Sequence, residues 1–243
     1  MAKQNETGHV INVDNFYELM QFPISYGAQY DPPMAALQIP QLNVKYTASQ
    51  NIMQSLLDEL TVYNNFVNAR QQVFADRRPL ATRIINILAT SGASKEIVED
   101  AKTINRKIQG QRATPKTPLE PDTSAPRDIS ASQMSFAQTI SHWAELISLL
   151  ESEPLYAPTD VALQTDTLSE MHEAMVSANE AVAAAHPSVA EKMNERDEIM
   201  YAPDTGLVAV AALVKQYIKG LFGARSPQFK DVNRIKFRTF KRR

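Results

Sequence analysis

YDPPMAALQIPQL, residues 30–42, and YAPTDVALQTDTL, residues 156–168, are one pattern written twice, 126 positions apart. Six of their thirteen positions are identical: Tyr30/Tyr156, Pro32/Pro158, Ala36/Ala162, Leu37/Leu163, Gln38/Gln164 and Leu42/Leu168. The same offset then pairs Ala48 with Ala174, Asn68 with Asn194 and Arg70 with Arg196, so one register runs from Tyr30 to Arg70 without a gap. A register that persists over this distance predicts an internal duplication.

A duplicated helix keeps its buried stripe after residue identities drift. In the first copy Met53, Leu56, Leu60, Tyr63, Val67 and Phe74 step by threes and fours, with Arg70 in the remaining seam position. The second copy reads Asn179, Val182, His186, Val189, Met193, Arg196 and Met200, the same seam with smaller or more polar members. Both predict long helices facing a packed neighbour. Each stripe ends at a break, ADRRP at 75–79 and YAPDTG at 201–206. Proline is accepted in a first helical turn, and Asp76 or Asp204 is expected to cap the next helix, so the chain doubles back at both places. The return helices are expected over about Pro79–Ala89, extended by Lys95–Ile108, and over about Thr205–Leu221. Upstream of the motifs, NFYELMQF from Asn15 and SHWAELISLL from Ser141 align at an offset of 127. Each unit then reads short helix, Tyr-x-Pro connector, long helix, turn, return helix.

Residues 110–130 hold Pro115, Pro118, Pro121 and Pro126 with scarcely a hydrophobic group. Proline at this density opposes helix and favours an extended, solvated spacer. The expected organisation is a first helical unit over 1–109, a Pro-rich linker over 110–130, a second helical unit over 131–229 and a basic tail over 230–243. The fold class is all-α: only 7 glycines occur in 243 residues, and helix-forming Ala, Leu, Met, Gln, Glu and Lys crowd the long segments.

The Tyr-x-Pro step before a long helix, Asn-x-Arg near its end, and the closing VKQYIKGLFGARSPQFKDVNRIKF (214–237) together resemble a family of tandem-duplicated helical proteins associated with Bacteroidota. The resemblance covers nearly the whole chain. It implies a helical fold and a bacterial source, and it transfers no catalytic residue.

Other features narrow the classes of function. The chain has 25 basic and 27 acidic residues, a balance too even to mark nucleic acid or membrane as the partner of the whole molecule. There is no cysteine, which removes disulfides, thiolate metal sites and cysteine nucleophiles. The apolar run Leu207–Val214 is far short of the roughly 20 residues needed to span a bilayer. MAKQNETGHV lacks the apolar core of a signal peptide, so the expected location is cytoplasmic. His9, His142, His172 and His186 fall in no metal-binding spacing, no paired glycines suit a phosphate cradle, and no Gly-x-Ser-x-Gly elbow occurs. No catalytic, cofactor or metal site is expected, and the protein reads as non-enzymatic.

Two sets of residues stand out as candidate sites. Arg70 and Arg196 place permanent charge on an apolar seam; a buried arginine needs a carboxylate partner or must carry its head to water, and these two are candidates for fixing the register of the helix pairs. The last fourteen residues, KDVNRIKFRTFKRR, hold Lys230, Arg234, Lys236, Arg238, Lys241, Arg242 and Arg243 against one acid, a local charge of +6 that leaves −8 for the rest of the chain. Alternation of Arg234, Lys236 and Arg238 with Ile235, Phe237 and Thr239 predicts an extended tail with cations on one side and mainly apolar groups on the other. The expected role is assembly or scaffolding with copies of itself or another protein. The alternatives are nucleic-acid or ribosome binding through the tail, and membrane activity through the face of Leu207–Phe222.

Overall fold

The computed structural model describes residues 7–111 and 134–240, so most of the Pro-rich 110–130 segment and Lys241, Arg242 and Arg243 lie outside the described residues. The described chain is all-α. In order it contains α1 (Thr7–Tyr26), α2 (Ile39–Val73), α3 (Arg77–Thr90), α4 (Lys95–Gln109), α5 (Phe136–Glu151), α6 (Thr165–Tyr201), α7 (Leu207–Phe222) and α8 (Pro227–Arg234), and no strand occurs among the described residues.

The two copies of the opening motif form the same local structure. A 3-10 turn at Ala35–Leu37 leads into α2, and one at Val161–Leu163 leads into α6. Between turn and helix, Gln38 (φ −67, ψ 144) and Gln164 (φ −69, ψ 143) are extended to within a few degrees of one another. The shared tyrosines close both turns: the Tyr30 hydroxyl donates to the Leu37 carbonyl at 3.0 Å and the Tyr156 hydroxyl to the Leu163 carbonyl at 2.8 Å. Each tyrosine is buried and each bond satisfies a backbone carbonyl that helix α2 or α6 cannot reach. Burial holds both phenols in the protonated form, pushing Tyr156 up to about 12 and Tyr30 higher still.

The flanking helices carry the correspondence further. Phe16 and Trp143, 127 positions apart, are both fully buried, as are Leu19 and Leu146 at the same offset. In the return helices, Ala81, Ile84, Ile85 and Leu88 of α3 are buried, and so are Leu207, Val210, Ala211 and Val214 of α7, each 126 positions on. Both helices thus bury one face by the same three-and-four stepping.

Several boundaries differ from expectation. Helix α1 starts at Thr7 rather than Asn15, because Asn12 and His9, polar in sequence, are buried with partners. Helix α5 starts at Phe136, capped by the Ser135 hydroxyl, which accepts from the Gln138 N–H at 3.2 Å. Neither aspartate caps as expected. Asp76 occupies the cap of α3 without a side-chain bond, and the cap of α7 is Gly206 rather than Asp204. The turn before α7 folds so tightly that a Cβ on residue 206 would sit 2.6 Å from the Ala202 nitrogen, which excludes side chains there. Helix α4 is separately built, with the Ser94 hydroxyl as its cap, Glu96 in its first turn and Arg106 and Lys107 in its last, where the helix dipole favours each sign.

The chain divides into two compact units, and these are not the two sequence halves: one comprises Met1–Tyr63 with His186–Arg243, the other Asn64–Ala185. The core of the first gathers Val13, Phe16, Leu19, Tyr30, Leu37 and Leu42 from the first copy with Met200, Leu207, Val210, Val214 and Ile218 from the second. The core of the second gathers Phe74, Ile84, Leu88 and Ile104 from the first copy with Trp143, Leu146, Tyr156, Leu163 and Leu168 from the second. Each core therefore joins the leading helix and connector of one copy to the return helix of the other.

Candidate docking site

The residues singled out by charge fall into three places. Arg70, near the end of α2, is half-buried; its guanidinium carbon lies 3.9 Å above the Phe136 ring, and Nη1 donates to Asn179 Oδ1 at 3.1 Å. Phe136 in turn meets Phe74 edge to face at 4.8 Å. Among the described residues no carboxylate meets it. A ring and a side-chain amide hold the charge, and Nε remains buried without a hydrogen-bond partner. Arg196 is buried at 5% exposure, and both Nε (3.0 Å) and Nη2 (2.7 Å) donate to Asp197 Oδ1. The carboxylate expected for a seam arginine is present here, supplied by the next residue along.

The basic tail is the most elaborated feature. Lys230 and Arg234 lie on α8, whose Ser226 cap accepts from the Phe229 N–H at 3.1 Å. From Ile235 to Phe240 the chain is extended and is strapped to its own compact unit by side-chain groups that read its backbone. Asn12 of α1 makes a two-point contact with residue 238, its Nδ2 donating to the Arg238 carbonyl at 2.7 Å and its Oδ1 accepting from the Arg238 N–H at 3.0 Å. One helical turn on, Asn15 donates to the Lys236 carbonyl at 2.7 Å. From α7, Lys215 donates to the Ile235 carbonyl and lies 4.9 Å from the Phe237 ring centre. Burial, with the Lys236 charge nearby, holds the Lys215 ammonium below the usual lysine range.

Apolar groups of the strap face inward. Ile235 is buried, Phe237 packs on the core, and Phe240 lies 4.6 Å from the His9 ring and 6.0 Å from Tyr201. Glycine at position 8 makes this possible, since a Cβ there would fall 2.3 Å from the tip of Phe240. Lys236 and Arg238 point outward and are exposed. Among the described residues, no carboxylate pairs with either, and Lys236 donates only to the Asn233 carbonyl. Sequence alternation matches the strap at Ile235–Arg238. The expected extended tail is corrected at Lys230 and Arg234, which are helical because the Ser226 cap and Pro227 start α8 there, and at Thr239, which is exposed. The alternation missed the receiving residues Asn12, Asn15 and Gly8, whose only signal was polar or small character on a buried helix face.

A groove of about 560 Å³ runs between α1 and α2; Val10, Val13, Met53, Leu56, Leu57 and Leu60 form its apolar part, and Asp14, Gln50, Asn51 and Gln54 its polar part. Val10 and Leu57 are exposed, Leu57 at 56%. Among the described residues no group of three or more His, Asp or Glu side chains is placed to hold a metal ion, and no helix is long and apolar enough to cross a membrane. The apolar face of α7 is occupied by the core through Leu207, Val210, Val214 and Ile218. Comparison with family models, with curated proteins and with solved structures gives no match.

Proposed function

We propose that this is a non-enzymatic scaffolding protein that associates with further copies of itself, built from two duplicated helical units that have exchanged their return helices. The observation that carries the self-association reading is the exposed apolar surface beside the α1–α2 groove. Val10, Tyr17 and Ile24 recur every seventh residue along α1, all at least 44% exposed, with Leu57 exposed on α2. Single exposed apolar residues are ordinary, whereas a helical row beside a partly apolar groove fits burial against another surface. A second copy supplies the same row, so an isologous contact is available. Duplication is supported by the paired tyrosine bonds, the matched connectors and the matched buried faces of α3 and α7.

Nucleic-acid binding keeps the cations of the tail but loses its stacking groups, since Phe237 and Phe240 are turned to the protein. The membrane reading loses its apolar face to the core. Light scattering across a concentration series tests the proposal. The mass is expected to rise above that of one chain, and Leu57→Glu to lower it at unchanged helix content. A single-chain mass at every concentration refutes self-association.

A further inference from the structure

The outward face of the strap is unexplained by the docking of the strap itself. The backbone and the apolar side chains do the docking, through Asn12, Asn15, Lys215 and the ring contacts. Among the described residues no carboxylate pairs with Lys236 or Arg238, and Arg234 has a long 3.7 Å contact with Asp231, its side chain 80% exposed. The outward row presents charge of one sign, which water can solvate and which an acidic surface can also meet.

Helix α6 carries the opposite charge. It has eight acidic residues (Asp166, Glu170, Glu173, Glu180, Glu191, Glu195, Asp197, Glu198) and two basic ones, Lys192 and Arg196. Both bases are already paired within the helix, Lys192 with Glu195 at 2.8 Å and Arg196 with Asp197 at 2.7 Å. Asp166, Glu170, Glu173 and Glu180 step by four, three and seven, which puts them on one face, and all four are exposed. Among the described residues none of these four has a basic partner.

The spacing of two cations also matches. Lys236 and Arg238, alternate residues of the strap, lie about 6.6 Å apart in extended chain, with Arg234 beside them at the end of α8. Carboxylates three or four residues apart on a helix, as in Asp166, Glu170 and Glu173, are separated by about 4.5–6 Å along its axis. The strap is held along its backbone before any partner arrives, so little ordering cost remains for its cations.

We propose that the strap is one half of a head-to-tail contact: Arg234, Lys236 and Arg238 of one copy dock on the acidic face Asp166, Glu170, Glu173 and Glu180 of α6 in a second copy. The inference rests on the self-association reading and names a second surface for it. Taken head to tail, the contact is heterologous, and its repetition generates a ring or an open filament. Being made of exposed charges, it weakens as salt shortens the screening length.

The test uses full-length chains with charges exchanged. One variant carries Lys236→Glu and Arg238→Glu, the other Glu170→Lys, Glu173→Lys and Glu180→Lys, each checked for wild-type helical signal by circular dichroism. Light scattering at low salt is expected to show a wild-type assembly larger than a dimer, which shrinks at high salt. Each variant alone should fail to form it, and their equimolar mixture should rebuild it, since the acidic strap of one then meets the basic face of the other. An assembly of unchanged mass in both variants, or a mixture that does not recover, overturns this contact while leaving self-association standing. A wild type that stays a single chain at all concentrations overturns both.

Discussion

Tyr30 and Tyr156 show at the scale of one side chain why the motif is written twice. Each phenol is buried against its connector and bonded to a carbonyl seven residues on, at 3.0 and 2.8 Å. Ionising either hydroxyl removes the donor and places charge in an apolar site, so both pKa values stand above the ordinary 10.0. With the folded values raised, the stabilisation is complete below pH 10 and is lost as pH climbs through the folded values. Alkaline titration followed by tyrosinate absorbance should therefore show Tyr30 and Tyr156 among the late-ionising tyrosines, their ionisation accompanied by loss of helix. The seam arginines are less alike than their register implies. Arg196 is buried with a carboxylate partner, and Arg70 is half-exposed over a ring. Thermal unfolding should show Arg196→Ala costing about 2–3 kcal/mol, as Asp197 is left unpaired, and Arg70→Ala roughly 1 kcal/mol.

Among the elements, the helices that sequence described best are those with an uninterrupted apolar stepping. Buried Ala81, Ile84, Ile85 and Leu88 place α3, and Leu207, Val210 and Val214 place α7, close to where the pattern puts them. Helix α1 was legible only in part, because its first turns bury His9 and Asn12, residues that read as surface until their partners Tyr201 and Arg238 are known. Those partners lie 192 and 226 positions away, a distance at which no local pattern carries information. The strap was half legible for the same reason: its alternation is written in residues 234–239, its receptor in residues 8–15. Gly8 makes the dependence testable. Gly8→Ala should displace Phe240 without unfolding α1, and trypsin should then cut after Lys236 and Arg238 several-fold faster at unchanged global Tm. Equal cleavage rates in the two chains would show that the strap does not depend on that contact.

Taken whole, the molecule packs across the repeat read in its sequence. Sequence divides the chain at residues 110–130, whereas the compact units take the leading helix and connector of one copy with the return helix of the other. Periodicity reveals that a helix has a buried face but not which helix covers it, so this exchange was not readable from pattern. Physically, neither half keeps its own core: Phe16 and Leu19 share one core with Val210 and Val214, while Trp143 and Leu146 share the other with Leu88 and Ile104. Burying a side chain of that size is worth about 1.5–3 kcal/mol, so separation of the halves would strip both units at once. The direct measurement is to place a specific protease site between Lys116 and Arg127, cleave the folded chain, and follow the fragments by size exclusion and circular dichroism. Exchanged return helices predict that the two fragments stay together at the original size and helix content and separate only in denaturant; two fragments that part in buffer, each still folded, would contradict the account.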